Sequence, residues 1–313
     1  MSEPMKIALV GVGKIARDQH IPAIAGHEGL TLAATASRNA SVEGVEAHTD
    51  LASLLEARPD IGVISLCTPP QYRYADARLA LEAGRHVMLE KPPGATLSEV
   101  HDLIDLARKS GVTLFATWHS RHAAAVSAAR DWLADKTIRS LEVTWHEDVR
   151  YWHPGQEWIW EAGGLGVFDP GINALSILTA IYPRALHLSN ATLTFPENRD
   201  TPIAARLSFA DPGGAEVSAD FDWRKEGDPA WDIRISTDAG EAVLSEGGAK
   251  LHVDGNRLET PEADALGGEY PGLYARLHDL VSRGESDVDL SPMVHVADAF
   301  TLGRRLTTDP FQF

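Results

Sequence analysis

The feature that most constrains the fold is a glycine-rich turn directly after the first apolar run. Residues 6–10 are typical of a buried strand, and the run 11–16 that follows reads GVGKIA, a GxGxxA pattern. Gly11 permits the tight turn, Gly13 lets the backbone approach a pyrophosphate, and Ala16 is small enough for helix and strand to pack closely. The pattern therefore predicts a phosphate-binding turn. The residues assigned to it are Gly11, Gly13, Lys14 and Ile15.

Strand-like and helix-like segments alternate through the rest of the N-terminal half. The strands are predicted at 30–35, 61–66, 86–90 and 112–117, and the helices at 50–58, 72–83 and 97–110. This alternation predicts an α/β domain with a Rossmann-type, doubly wound parallel sheet. Ligands of such sheets lie outside the carboxyl ends of the strands. The residues expected to share that rim are Gly11, Ser37, Thr68, Lys91 and His119. In the loops after these strands, Thr68, Pro69, Glu90 and Lys91 are assigned to the cofactor.

The residues after the second strand predict which dinucleotide is bound. An acid there would bind the ribose hydroxyls of NAD and repel a 2′-phosphate. This chain instead has Ser37, which can hydrogen-bond, and Arg38, which can pair with phosphate, while Glu43 lies five residues further on. The sequence therefore favours NADP, with NAD as a second acceptor. The alternative is that Arg38 is only a solvated surface charge.

The C-terminal half has a different pattern. From about 186 to 256 polar and apolar residues alternate between turn-rich loops, which predicts an α+β domain with an open, mainly antiparallel sheet. We expect a dinucleotide-binding domain at 1–122 and a substrate-binding and oligomerisation domain at 123–313. A last helix at 292–305 is expected to pack back on the N-terminal domain. A partly apolar outer face of the sheet could support a homodimer.

Charge and composition limit the kinds of binding partner and the location that we expect. The formal net charge is −17, so binding to nucleic acid through its phosphates is not expected and a neutral substrate is favoured. No apolar run approaches the roughly 20 residues that span a bilayer, so no membrane association is expected. The first residues show no basic leader, and the one cysteine, Cys67, suits a reducing compartment. We therefore expect a cytoplasmic location.

Two motifs give the chain a family resemblance. Glu90-Lys91-Pro92 after a strand, behind the N-terminal GxGxxA, resembles the Gfo/Idh/MocA oxidoreductases, and the run 165–173 matches part of their G-x-x-x-D-x-G-x-H motif. The resemblance implies a Rossmann domain followed by an open-sheet domain. The run 150–173 is similar to bacterial aldose 1-dehydrogenases that act on D-galactose and L-arabinose. The resemblance thus implies hydride transfer from the anomeric carbon of an aldopyranose to NAD(P), giving the aldonolactone.

One position departs from the family pattern. Many members have a histidine where this chain has Asn173, and an amide cannot take a proton at neutral pH. We expect Lys91 and Asp169 to act instead as a coupled catalytic pair, in which the naming of one member as the base is arbitrary. The alternatives are that Lys91 is a surface lysine and that Asp169 only caps the helix predicted at 172–181.

Sugar recognition needs an apolar ring face together with charged or amide partners for the hydroxyls. Asn173, one turn after Asp169, is expected to bond a hydroxyl, and Trp152 is the first choice for a stacking platform. Trp158 and Trp160 are expected to be packing residues. Further substrate contacts are assigned to Glu147 on a strand at 141–149, to His119 and to Trp231 on a later strand.

Several histidines lie close together in the sequence, but their spacing does not favour a metal site. His119 and His122 have no cysteine partner and no HExxH pattern, and hydride transfer needs no metal. Two other functions remain open: another dehydrogenase of the same family, acting on a polyol or a dihydrodiol, and a non-catalytic NAD(P)-binding sugar sensor. Retention of both Lys91 and Asp169 argues against the sensor.

Overall fold

The computed structural model describes residues 3–260 and 268–312. The chain forms two compact units. Unit 1 runs from the N-terminus to His119 and also contains Tyr270–Asp289. Unit 2 contains Ser120–Glu269 and the chain from Leu290 onward. We expected a single domain boundary, between residues 122 and 123, whereas in the structure the late segment Tyr270–Asp289 belongs to unit 1.

Unit 1 is built on a six-stranded sheet, called sheet 1. Its strands are β1 (Met5–Val10), β2 (Leu30–Ala36), β3 (Glu46–His48), β4 (Val63–Leu66), β5 (His86–Leu89) and β6 (Leu114–Ala116). All neighbouring strands are parallel, and their order is β3-β2-β1-β4-β5-β6. The doubly wound parallel sheet expected from the sequence is confirmed.

The chain has nine α-helices within the described residues. They are α1 (Ile21–Ala25), α2 (Leu51–Ala57), α3 (Pro70–Glu82), α4 (Leu97–Ser110), α5 (Val126–Leu133), α6 (Val149–Trp152), α7 (Phe168–Ile181), α8 (Glu269–Arg283) and α9 (Ser291–Leu302). A π-helical turn, Ala16–His20, leads into α1, and single 3₁₀ turns lie at His119–His122, Glu157–Trp160 and Glu246–Gly248.

Helix α4 shows why local sequence sets its ends. The Thr96 side chain accepts a hydrogen bond from the backbone N–H of Glu99, and the Glu99 side chain accepts one from the backbone N–H of Thr96. At the other end Gly111 has φ of 67°, a conformation that glycine adopts without strain. Both ends therefore fall where the capping residues predict.

Apolar side chains cover both faces of sheet 1. Along β1, Ala8 and Val10 face one core cluster, whereas Ile7 and Leu9 face the other. The second cluster is completed by α8, whose buried residues recur at helical spacing: Tyr270, Leu273, Tyr274, Leu277 and Leu280. Helix α8 is therefore part of unit 1, although the sequence analysis did not predict it.

The last helix differs from the expectation at 292–305. Helix α9 ends at Leu302, and residues Arg304–Thr308 form a strand, β15. The helix belongs to unit 2, where it packs on α7, and the Phe168 and Phe300 rings lie 5.6 Å apart. The expectation that it also packs on the N-terminal domain stays a prediction.

Unit 2 is built on a nine-stranded sheet, called sheet 2. Its strands are β7 (Ile138–His146), β8 (His187–Pro196), β9 (Ala204–Ala210), β10 (Glu216–Asp222), β11 (Ala230–Thr237), β12 (Gly240–Ser245), β13 (Lys250–Val253), β14 (Asn256–Arg257) and β15 (Arg304–Thr308). The sheet is mainly antiparallel, as expected, with parallel pairs only between β7 and β10 and between β8 and β15 among the described strands.

The outer face of sheet 2 is more polar than expected. On β9, Leu207 and Phe209 are buried, whereas the alternate residues Arg206 and Ser208 are exposed. Asp220 on β10 lies opposite Arg206, with 3.5 Å between carboxylate and guanidinium. The alternation of the strands therefore buries their large apolar residues and leaves charged pairs outside.

Candidate active site

The carboxyl edge of sheet 1 collects the predicted rim residues. Gly11 follows β1, Ser37 follows β2, Thr68 and Pro69 come shortly after β4, Glu90 and Lys91 follow β5, and His119 comes soon after β6. Because these strands are parallel and adjacent, their carboxyl ends lie along one edge. The expectation of a shared rim agrees with this arrangement.

The glycine-rich turn has the space that a dinucleotide needs. Gly11 has φ of 87°, and a Cβ there would come within 2.9 Å of the Thr68 side chain. A Cβ at Gly13, in contrast, would meet nothing within 4 Å. Gly11 is thus required by the turn itself, while Gly13 leaves its surroundings open at the start of the helical segment. The residues present fit a pyrophosphate held at a helix N-terminus.

The other residues of this turn are exposed at the same place. Helical structure begins at Lys14, whose ammonium pairs with Asp18 one turn later. Ile15 is 37% exposed. Ala16 is fully buried, as close helix–strand packing requires.

The loop after β2 has a cationic surface. Ser37 is half-buried and its backbone N–H donates to the carbonyl of His48, while Arg38 is exposed. Arg17, in the neighbouring helical turn, donates to the backbone carbonyl of Ser41 at 2.9 Å and so ties this loop to the glycine-rich turn. No acidic side chain occupies positions 37 or 38.

Glu90 lies on the rim by its backbone, but its carboxylate is buried at 4% exposure. Its Oε1 accepts a hydrogen bond from the Tyr270 hydroxyl at 2.7 Å and contacts His20 Nε2 at 3.2 Å. His20 Nδ1 lies 2.7 Å from the Tyr274 hydroxyl. We call these four side chains the Glu90 network. The sequence assigned Glu90 to the cofactor, and burial of a charged group is not visible from its position in the chain.

The charges of the Glu90 network support one another. Burial alone would raise the pKa of Glu90, yet the hydrogen bond and charge of His20, with His119 and Tyr270, hold that pKa well below the usual carboxyl range. Burial opposes protonation of His20, but Cys67, Tyr274 and Glu90 raise its pKa well above the usual imidazole range. These contacts therefore favour the charged form of both Glu90, the residue before Lys91, and His20.

Arg73 is a rim residue that the sequence analysis missed. It lies on α3, is 2% exposed, and donates from Nε to the carbonyl of Thr68 at 3.1 Å. Its Nη1 donates to the carbonyls of Glu90 and Pro92. The available signal was an arginine one turn into a helix that starts at the strand end, in a chain otherwise rich in acids.

In unit 2, Glu147 is held between two tryptophans. It is 4% exposed; its Oε1 accepts from Trp223 Nε1 at 3.2 Å and its Oε2 from Trp231 Nε1 at 2.9 Å. The expected strand at 141–149 is wrong at this end, because β7 stops at His146 and the backbone N–H of Glu147 already pairs with Asp222. Glu147 thus lies just beyond the strand end, with Trp231 on β11.

An aromatic group surrounds Trp231. The Trp152 and Trp145 rings lie 5.2 and 5.7 Å from it, and Tyr151, which packs edge-on against Trp152, is 75% exposed. Trp152 itself is half-buried, so part of its surface faces solvent. Trp160, in contrast, is almost fully buried and contacts Trp223, which agrees with its expected role in packing.

Asp169 has a histidine partner that the sequence analysis did not assign. His153 Nε2 lies 3.3 Å from Asp169 Oδ2, and both side chains are largely buried. Asp169 is in the first turn of α7, after the N-cap Val167, so it is not the helix cap. Asn173 follows it by four residues on the same face and is half-buried. Residue 173 offers only an amide in this chain, and the imidazole next to Asp169 comes from His153.

Within 3–260 and 268–312, no group of three or more His, Cys, Asp or Glu side chains is placed to hold a metal ion. None of the helices in that part of the chain has the length and apolar character of a membrane span.

Known proteins resemble this chain along its whole length. Residues 5–118 match the oxidoreductase family with an NAD-binding Rossmann fold, GFO_IDH_MocA. Galactose 1-dehydrogenase from Pseudomonas fluorescens is 43% identical over 309 residues, which cover 99% of each chain.

Solved structures extend the comparison to the fold. The crystal structure of a D-galactose-1-dehydrogenase protein from Rhizobium etli is 57% identical, with a TM-score of 0.95 over 100% of this chain and 99% of that one. A 3-ketoreductase from Actinomadura kijaniata shares the fold at 17% identity, with a TM-score of 0.82 over 98% of this chain and all of the other. The chain belongs to the Gfo/Idh/MocA family of NAD(P)-dependent oxidoreductases.

Proposed function

We propose that this protein is an aldose 1-dehydrogenase that oxidises D-galactose at the anomeric carbon to the aldonolactone, with NADP as the preferred acceptor. The observation that carries the proposal is the 43% identity to the Pseudomonas galactose 1-dehydrogenase over 99% of both chains. L-Arabinopyranose is D-galactopyranose without the exocyclic CH₂OH group, and a missing group is only weakly rejected by an open pocket. We therefore expect L-arabinose to be a second substrate.

Glu147 is suited to receive sugar hydroxyls. A carboxylate has about four lone-pair sites, and the indole N–H groups of Trp223 and Trp231 use one on each oxygen. The two indoles fix the carboxylate plane, and a carboxylate is an acceptor of the kind that sugar hydroxyls need. Trp152 offers an apolar surface of the kind that stacks on the C–H face of a pyranose. Asn173 and His119 complete the proposed set of hydroxyl partners.

The proton of the anomeric hydroxyl is assigned to Lys91 and Asp169. When bound, the nicotinamide supplies the hydride acceptor. Asp169 contacts His153, so we expect a proton that reaches Asp169 to be shared between its carboxylate and the imidazole of His153. We propose that His153 carries out the role for which many family members use a histidine at position 173. Lys91 stands on the carboxyl rim of sheet 1, after a strand that the NAD-binding family match includes.

We expect the loop after β2 to determine whether NADP or NAD is preferred. Arg38 is exposed there, Ser37 offers a hydroxyl, and Arg17 holds the loop through the Ser41 carbonyl. Both arginines favour a 2′-phosphate and neither position 37 nor 38 has an acid that would repel it. Arg38→Ala is expected to weaken NADP binding about tenfold or more and to leave NAD binding nearly unchanged, as measured by calorimetry.

A spectrophotometric screen at 340 nm tests the reaction. Wild-type protein is assayed with NADP and NAD against D-galactose, L-arabinose, D-glucose, D-xylose and myo-inositol. Growth of absorbance with the first two sugars, faster with NADP, is expected. Turnover with inositol alone, or with none of these substrates, would remove the aldose assignment.

Two variants test the catalytic residues. Lys91→Ala and Asp169→Asn are each expected to lower kcat by about 10²–10⁴-fold, the usual contribution of a general base. Lys109→Ala, which removes an exposed lysine from the last turn of α4, is the matched control and should keep full turnover. Near-full turnover of Lys91→Ala with an unchanged pH profile would contradict the assignment.

We also propose that the protein works in the cytoplasm, for which the single cysteine is the support, and that it forms a homodimer. Light scattering on purified protein tests the homodimer. A monomer at all concentrations would exclude the dimer.

A further inference from the structure

Arg73 places a buried cation where it meets three backbone carbonyls from two loops. One, on Thr68, belongs to the loop after β4, and two, on Glu90 and Pro92, belong to the loop after β5. The side chain is 2% exposed. Removing a guanidinium from water is costly unless its N–H groups find acceptors. The three carbonyls therefore hold the Arg73 side chain in place, and Arg73 in turn holds the two loops.

The peptide group between Glu90 and Lys91 is held at both of its polar atoms. Its carbonyl oxygen accepts from Arg73 Nη1, and its N–H donates to Glu90 Oε2 at 2.6 Å. The carbonyl of Pro92, on the other side of Lys91, accepts from the same Nη1. The backbone is therefore restrained on both sides of Lys91, and the direction of its Cα–Cβ bond is set by these contacts.

We propose that Arg73 is a positioning residue that joins the two rim loops and so fixes the direction in which Lys91 leaves the backbone. This inference rests on the proposed function of Lys91. Arg73 lies at the beginning of α3, a thirteen-residue helix anchored in the core by Ala77, Ala80 and Leu81. The helix thus provides a rigid base, and a planar fork of donors suits several acceptors better than an ammonium would.

The test combines truncation with chemical rescue. Arg73→Ala removes the guanidinium, and Arg73→Lys keeps a cation with different donor geometry. Arg78→Ala is the control, because Arg78 lies on the same helix but is 42% exposed and pairs with Glu82 and Asp102. For each protein we would measure kcat, the Kd of NADP by calorimetry, and Tm, with and without millimolar guanidinium chloride, and with ammonium chloride as the matched salt.

The expected results separate positioning from general stability. Arg73→Ala should lower kcat on the order of 10²-fold, as misplacement of a reacting group by about 1 Å does. Its Kd for NADP should rise about tenfold, because Thr68 is also released. Added guanidinium, but not ammonium, should restore part of the kcat and part of the NADP affinity of Arg73→Ala, even though guanidinium lowers Tm. Arg73→Lys should show a smaller loss, and Arg78→Ala none.

Three outcomes would overturn the proposal. They are a folded Arg73→Ala protein with wild-type kcat and Kd, an Arg73→Lys protein that equals wild type, and losses that guanidinium and ammonium affect alike. Should Arg73→Ala fail to fold, the Arg73→Lys comparison still decides. Calorimetry of NADP does not depend on the sugar, so a wild-type protein that binds NADP without oxidising any aldose would refute the proposed function and leave the effect of Arg73 on binding measurable.

Discussion

Replacing Glu147 with glutamine is expected to destabilise unit 2, although the two side chains have nearly the same shape. Both carboxylate oxygens accept an indole N–H, one from Trp223 and one from Trp231. Glutamine has one oxygen and one NH₂ group, so in either orientation an NH₂ donor faces an indole donor. The site therefore requires two acceptors, which only the carboxylate supplies.

The magnitude follows from the burial of the two donors. Trp223 is fully buried and Trp231 is half-buried, so the amide oxygen should turn to Trp223 and leave the opposed donors at Trp231. Loss of one hydrogen bond to a charged acceptor, with a donor left unpaired, lowers the free energy of unfolding by about 2 kcal/mol. For a domain of about 150–250 residues this reduces Tm by roughly 4–8 °C.

Differential scanning calorimetry of Glu147→Gln checks this value, with Glu142→Gln as control because Glu142 is an exposed residue of β7. Adding Trp231→Phe to Glu147→Gln removes the opposed donor and should recover part of the lost stability. The KM for the sugar should rise in Glu147→Gln and stay constant in the control. Equal Tm values for the two single variants would refute the requirement for two acceptors.

Three further predictions concern the Glu90 network, the contact between His153 and Asp169, and the glycine-rich turn. The lowered pKa of Glu90 contributes stability that is present above the ordinary carboxyl range and is lost as the pH falls through the folded pKa. Tyr270→Phe should raise that pKa, so that acid unfolding followed by circular dichroism begins at higher pH; an unchanged midpoint would contradict it. His153→Ala should lower kcat at least about tenfold and change the pH profile, since it removes the imidazole beside Asp169; an unaltered profile would exclude His153 from the reaction. Gly13→Ala should keep Tm, because its Cβ meets nothing within 4 Å, but should weaken NADP binding in calorimetry; loss of Tm alone would show that Gly13 serves the turn.

Much of unit 1 could be predicted because its signals are local. The ends of α4 follow from Thr96 and Gly111, whose side chain and φ act within one helical turn. The rim residues follow from strand ends, since parallel strands in one sheet must finish on one edge. In unit 2, the alternation of polar and apolar residues likewise predicted β9 and its neighbours.

What could not be predicted depends on contacts between distant segments. The Glu90 network joins residues 20, 90, 270 and 274, and no pattern in any one segment shows that a carboxylate next to Lys91 is buried. The contact between His153 and Asp169 crosses an irregular stretch with only short helical turns, where hydrophobic periodicity carries little information. The apolar residues of α8 recur at helical spacing, but its membership of unit 1, which the chain leaves at His119 and re-enters at Tyr270, depends on contacts between distant segments.

The return of α8 has a consequence for how the protein is made. During synthesis, the strands and helices up to His119 emerge first, then the whole segment Ser120–Glu269, and only afterwards the helix that covers Ile7 and Leu9. Until then one face of sheet 1 has no cover from α8, and contacts at such separation are slow to form. An N-terminal fragment ending at 122 would lack that cover permanently, so the nascent chain depends on its last quarter to complete its first domain.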